Sequence, residues 1–249
     1  MRRSRTLAFL LPAAALAASV SGAQAPAPSG RVHHSMKVTL DPARGWLSVE
    51  DVMKVPADPS GHIEFLLHGG LRITASEPAV EEGHLGDTAR FLGINASTTD
   101  VPLKRYHVAL PAAGAAVRLR YEGKFDFGLS DQKEEYTRGF RETAGIVSRD
   151  GLYLAGNGFW YPHVGPGLVE YDLEVSQPEG WHVIGAGNGT SRDAKGAARW
   201  ESHGPVDEIT LVGGPLLVYR DSAGAVETLV YLRQKDDALA SKYLQATAQ

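Results

Sequence analysis

From Val32 onward apolar and polar residues alternate one by one, and a period of two dictates extended backbone. Met36-Lys37-Val38-Thr39-Leu40 alternates, Asp41 to Gly45 supplies the Asp, Pro and Gly of a turn, and Trp46 to Val52 resumes the pattern. This spacing predicts a hairpin. Ile63 to Leu67, Leu71 to Ala75, Tyr106 to Leu110 and Val117 to Tyr121 are further short strands, divided by turns that carry Gly, Pro and Asp. The charged stretch from Asp126 to Asp150, centred on Lys133 to Arg138, reads as a long surface loop. Strand-like segments return at Gly151 to Leu154, Val169 to Val175, Trp181 to Ile184, Ala198 to Glu201, Ile209 to Val212, Leu216 to Tyr219 and Val226 to Leu232. Helical spacing and repeats are missing from this region, which argues against a parallel α/β fold and for an all-β antiparallel sandwich. Only residues 235–249 change character: they favour a short C-terminal helix with Leu239, Tyr243 and Ala246 on one face and no terminating Gly, Asn or Pro. Either that helix is interrupted by a truncated reading frame, or it frays at the end of a complete domain.

The basic head Met1 to Arg5 runs into an apolar stretch, Leu7 to Val20, closed by small residues. That is the build of a signal peptide, too short for a bilayer of roughly 30 Å. Cleavage after Ala23 makes residues 1–23 the signal peptide and 24–31 a Pro/Ala/Ser/Gly linker, with export by the general secretory or twin-arginine route to the periplasm or medium. No later segment is apolar enough to span a membrane, and with no cysteine there is no disulfide, lipidated thiol or thiolate ligand. A net charge of −4 with interspersed signs offers no basic face for nucleic acid.

Asn157-Gly158-Phe159-Trp160-Tyr161-Pro162-His163 is the most distinctive stretch. Asn157, Trp160, Tyr161 and His163 are candidate substrate-binding residues if it lines a cleft; alternatively the aromatics plug the space between sheets. His33 and His34 are neighbours on a strand, point to opposite faces and cannot chelate as a pair, so both are expected to be exposed polar residues. Glu170, Asp172 and Glu174 share one face of a strand, as the solvent face of an amphipathic strand does. No G-x-S-x-G elbow or phosphate loop is present. Asn95-Ala96-Ser97 and Asn188-Gly189-Thr190 read as surface turns.

Four segments in order, His34 to Asp41, Val117 to Gly123, Gly158 to His163, and Val169 to Val175 with Pro178-Glu179-Gly180-Trp181, resemble the N-terminal domain of the aminopeptidase N and leukotriene A hydrolase family of zinc metallopeptidases. The resemblance covers about Val32 to Leu232. It implies a saddle-like β domain over 32–234 that precedes a helical zinc domain. The H-E-x-x-H that such chemistry needs is missing among the nine histidines, so no catalytic residue, metal ligand or cofactor is expected in this chain, and zinc is expected in a catalytic partner domain, in cis if the chain is truncated. The family's amine-gripping Gln and Glu fall, by spacing from Pro162, on Gly151 and Tyr153, which cannot serve as an anion; Asn157 or Asp150 would have to substitute.

Two functional readings follow. One is a non-catalytic domain that scaffolds and partly walls the cleft of a zinc aminopeptidase-like protein. The other is a stand-alone periplasmic β-sandwich module that binds a peptide or glycan through Phe159, Trp160 and Tyr161.

Overall fold

The structure, a computed structural model, describes residues 31–56, 60–86, 101–110, 115–131, 141–224 and 226–247. The segments expected to be a signal peptide and linker, up to residue 30, the centre of the charged stretch at 132–140 and the turn expected at Asn95 lie outside them. In chain order the strands are β1 (Val32–Asp41), β2 (Trp46–Lys54), β3 (His62–His68), β4 (Leu71–Glu77), β5 (Val80–Gly83), β6 (Leu103–Ala109), β7 (Ala116–Lys124), β8 (Ser130–Asp131) and β9 (Arg141–Glu142). They continue as β10 (Ile146–Ser148), β11 (Gly151–Leu154), β12 (Val169–Ser176), β13 (His182–Ile184), β14 (Asn188–Thr190), β15 (Ala197–Glu201), β16 (Leu211–Gly214), β17 (Leu217–Ala223) and β18 (Val226–Leu232). One α-helix, α1 (Asp237–Thr247), follows. The all-β class with a short C-terminal helix is as expected.

A seven-stranded sheet runs β14-β15-β12-β1-β2-β7-β4, a four-stranded one β10-β11-β16-β13 and a three-stranded one β3-β6-β5. The pairings are antiparallel except that β1 lies parallel to β12, Val32 opposite Val169 and Thr39 opposite Ser176. The first hairpin forms where expected, and Gly45 closes its turn at φ 64°, a conformation that favours glycine. Inward residues of β1, β2, β7 and β12, among them Met36, Val38, Leu47, Val49, Leu119 and Leu173, join Phe65, Leu152, Val183 and Leu211 from the other sheets in one core. The outward face of the large sheet carries cross-strand ion pairs, Arg120 to Glu50 at 3.2 Å and Arg72 to Glu122 at 3.5 Å.

Three expectations need correcting. The stretch from Asp126 to Asp150 is not one loop, because β8, β9 and β10 lie within it and Val147 is fully buried. His34 is not an exposed terminal residue: its side chain has no solvent exposure. The helix face also differs, since α1 buries Ala240, whereas Leu239 and Tyr243 stay 36% and 53% exposed. Asp236 caps this helix by accepting from the Leu239 amide at 2.9 Å.

At Gly123, on β7, a Cβ would lie 2.1 Å from the carbonyl oxygen of Gly70, so only glycine lets the chain entering β4 approach β7 this closely. Gly123→Ala is expected to cost about 2 kcal/mol or more of unfolding free energy through backbone displacement. Urea denaturation checks it; an unchanged midpoint would mean the two backbones are not held in this contact.

Candidate functional site

The aromatic stretch begins in a single 3-10 turn, Gly156–Gly158, after which Phe159 adopts left-handed backbone at φ 53°. A Cβ at Gly158 would sit 1.9 Å from the Ala144 carbonyl oxygen, which explains the glycine there. The segment then lies along the edge of β3. His68 donates its amide to Phe159 O, and Leu66 and His163 exchange both backbone bonds, each at 2.9 Å.

This path turns Trp160 and Tyr161 inward, to 0% and 1% exposure. Both hold one residue: Trp160 Nε1 donates to Ile209 O at 3.0 Å, and the Ile209 amide donates to Tyr161 Oη at 3.2 Å. Phe159 is buried as well, and Asn157 points outward. The four candidate residues therefore do not form one surface. The buried indole of Trp160 offers no face to a ligand, whereas Tyr161 and His163 border a cavity of about 330 Å³ with Arg31, Pro56, Leu168 and Asp207.

Behind Tyr161 lies a buried polar cluster. His34 on β1 and Asp51 on β2 are both fully buried, with Nδ1 and Oδ2 2.7 Å apart. The His34 ring meets Tyr161 edge-on at 5.4 Å, and the His163 ring lies tilted against Tyr161 at 4.3 Å. Burial, then the charges of Asp51 and Tyr161, push the Tyr121 phenol well above its ordinary range, so it stays a neutral hydroxyl. Burial, reinforced by His34, lowers the His163 pKa to about 3. His34 Nε2, Asp51 Oδ1, Tyr121 Oη and His163 Nε2 are buried with no protein hydrogen-bond partner among the described residues. The signal for this cluster was present in the strand phase: His34 shares the inward face with Met36 and Val38, and Asp51 with Val49 and Met53.

Gly151 and Tyr153 lie on β11, and Tyr153 is 40% exposed. Asp150 is exposed in the turn before them, apart from the buried cluster. Glu208 accepts from the Gly156 amide, at the start of the aromatic stretch, at 2.8 Å. The carboxylates of β12 face outward as expected: Asp172 lies 3.4 Å from His33, and Glu174 pairs with Arg199. Among the described residues no group of three His, Cys, Asp or Glu could hold a metal, so no step through zinc is assigned to these residues. No helix among them is long and apolar enough to cross a membrane.

No family model and no curated protein sequence matches the chain. Solved structures do. The M1 zinc metallopeptidase of Deinococcus radiodurans superimposes with a TM-score of 0.54 at 18% identity, over 79% of this chain and 45% of that one. This chain carries part of the M1 zinc metallopeptidase fold. A mutant of the same enzyme bound to a Tyr-Ser-Ala substrate gives a TM-score of 0.53 at 17% identity, over 85% of this chain and 51% of the other. The chain thus spans about half the length of the structures it matches, as an N-terminal domain would.

Two predictions follow from the buried groups. Trp160→Phe strands the Ile209 carbonyl and Tyr161→Phe its amide, so each should lose about 1–3 kcal/mol in chemical denaturation; two unshifted midpoints would show that neither bond matters. His68, fully buried between Phe125 and Phe127, is lowered by burial to about 4, and His163 to about 3. Both imidazoles fold neutral, so their contribution is complete above the ordinary 6.5 and is lost as pH falls through the folded values. Stability measured by urea titration should decline from pH 6.5 to 4, and less steeply in His68→Asn.

Proposed function

We propose that residues 32–234 form the non-catalytic β domain of an exported zinc aminopeptidase-like protein, scaffolding and partly walling the substrate cleft of a catalytic zinc domain on the same polypeptide. The observation that carries this reading is the coverage: the likeness takes in most of this chain but about half of each M1 zinc metallopeptidase. The lack of a three-ligand group among the described residues fits a division in which zinc and its bound water belong to the other half. Export is supported by the basic head, apolar run and small-residue tail of residues 1–23.

In this role the domain supplies rigid surface rather than reacting groups. Its contribution to turnover is to position a cleft wall and restrict access to it. His163, half-buried at the rim of the cavity, is the part of the aromatic stretch through which it reaches a peptide. The stand-alone module reading needs Phe159, Trp160 and Tyr161 as a surface, and all three rings are buried.

The test has two arms. The purified chain from Gln24 to Gln249 should bind no stoichiometric zinc and turn over no aminopeptidase substrate above a metal-free control. The reading frame past codon 249 should encode H-E-x-x-H, and the longer polypeptide should be active. Turnover with bound zinc in the shorter chain would refute the accessory role.

A further inference from the structure

Asn188-Gly189-Thr190 is not a turn but β14, the three-residue edge strand of the large sheet. The fold fixes its middle residue. A Cβ at position 189 would lie 2.0 Å from the Arg199 carbonyl oxygen and 2.8 Å from the Trp200 ring, so only glycine lets β14 lie against β15. Asn188 stands opposite Glu201, and both Asn188 and Gly189 are exposed. The asparagine amide is thus followed by a residue with no side chain to shield it.

Two groups that a reaction of this amide needs are in place. The Ser202 amide, just past β15, turns to β12 and donates to Tyr171 O at 3.0 Å. By alternation Trp200 also addresses β12, so Gly189, its partner in β14, points its own N–H off the open edge of the sheet. His203, exposed as well, has Nδ1 3.2 Å from Asn188 Nδ2. The other Asn-Gly pair, Asn157-Gly158, is built the opposite way. Asn157 is exposed, but Gly158 is buried in its 3-10 turn with its amide bonded to Ala155 O at 3.0 Å.

We propose that Asn188 is a site of spontaneous succinimide formation and that His203 assists it. The Gly189 nitrogen attacks Asn188 Cγ and gives its proton to water. The bond from Cγ to Nδ2 breaks as protonated His203 hands a proton from Nδ1 to Nδ2, and ammonia leaves. His203 is reprotonated from water, so the protons balance. Water then opens the cyclic imide. Addition at Cγ restores the ordinary backbone with aspartate at 188; addition at the main-chain carbonyl carbon leaves the chain running through Cγ, as isoaspartate.

The products differ from the parent where β14 is held. Aspartate sets a carboxylate opposite Glu201, which is itself opposite Asp172, so like charges stand in one row across β14, β15 and β12. Isoaspartate adds a backbone carbon and shifts Gly189 and Thr190 out of register with Trp200 and Arg199. Both changes loosen the same edge of the sheet.

Peptide mapping by mass spectrometry reads amide-to-acid conversion at each site in the purified chain incubated at neutral pH, folded and in urea. In the folded chain position 188 should convert about tenfold or more faster than 157, and the two rates should converge in urea. His203→Gln should slow conversion at 188 about fivefold or more and leave 157 unchanged. Equal rates at 188 and 157 in the folded chain, or a faster one at 157, overturn the site. An unchanged rate at 188 in His203→Gln overturns the part assigned to the imidazole.

Discussion

Two aromatic side chains hold the peptide groups of Ile209, and three sheets depend on that grip. Trp160 and Tyr161 stand on a segment bonded to the edge of β3; Ile209 leads into β16 of the four-stranded sheet; Tyr161 packs against His34 of the large sheet. Each of the two bonds is ordinary in length. Their effect comes from burial, since a backbone amide and carbonyl with no water nearby must find partners or carry the full desolvation cost. The rings satisfy both groups and fill the space between the sheets with apolar volume. A plug of this kind explains why the Trp and Tyr occur side by side, a pattern that in sequence looks equally suited to a ligand platform.

Much of the fold was legible because strand phase is a strong signal. Alternation located β1, β2, β3, β7, β12 and β18, and Asp41 to Gly45 located the turn between the first two. It failed where strands are too short to show a period, as in β8, β9 and β10, hidden in a stretch whose charge suggested a loop. Nor can alternation say which strands pair, so the parallel contact of β1 with β12 had no sequence signature.

The candidate site was less legible, for a different reason. For a histidine near a terminus exposure is the common outcome, although the phase of His34 with Met36 places it inward. A buried histidine is tolerable there because Asp51 comes in from the neighbouring strand, a partnership between residues far enough apart in sequence to escape any local motif. Asn157, Trp160, Tyr161 and His163 are neighbours in sequence only. The left-handed turn at Phe159 separates them, one to solvent, two to the core and one to a cavity rim.

The parallel pairing of β1 with β12 bears on how the protein can fold. β1 is an interior strand of its sheet, yet one of its neighbours is made only after most of the intervening chain has been synthesised. Until then the β1–β2 hairpin presents an unpaired edge with Val32, Met36 and Val38 uncovered. Closing so large a loop before the contact rewards it makes for slow folding. The same topology ties the first strand to the last third of the domain, so the large sheet acquires its stability late and as a single cooperative unit.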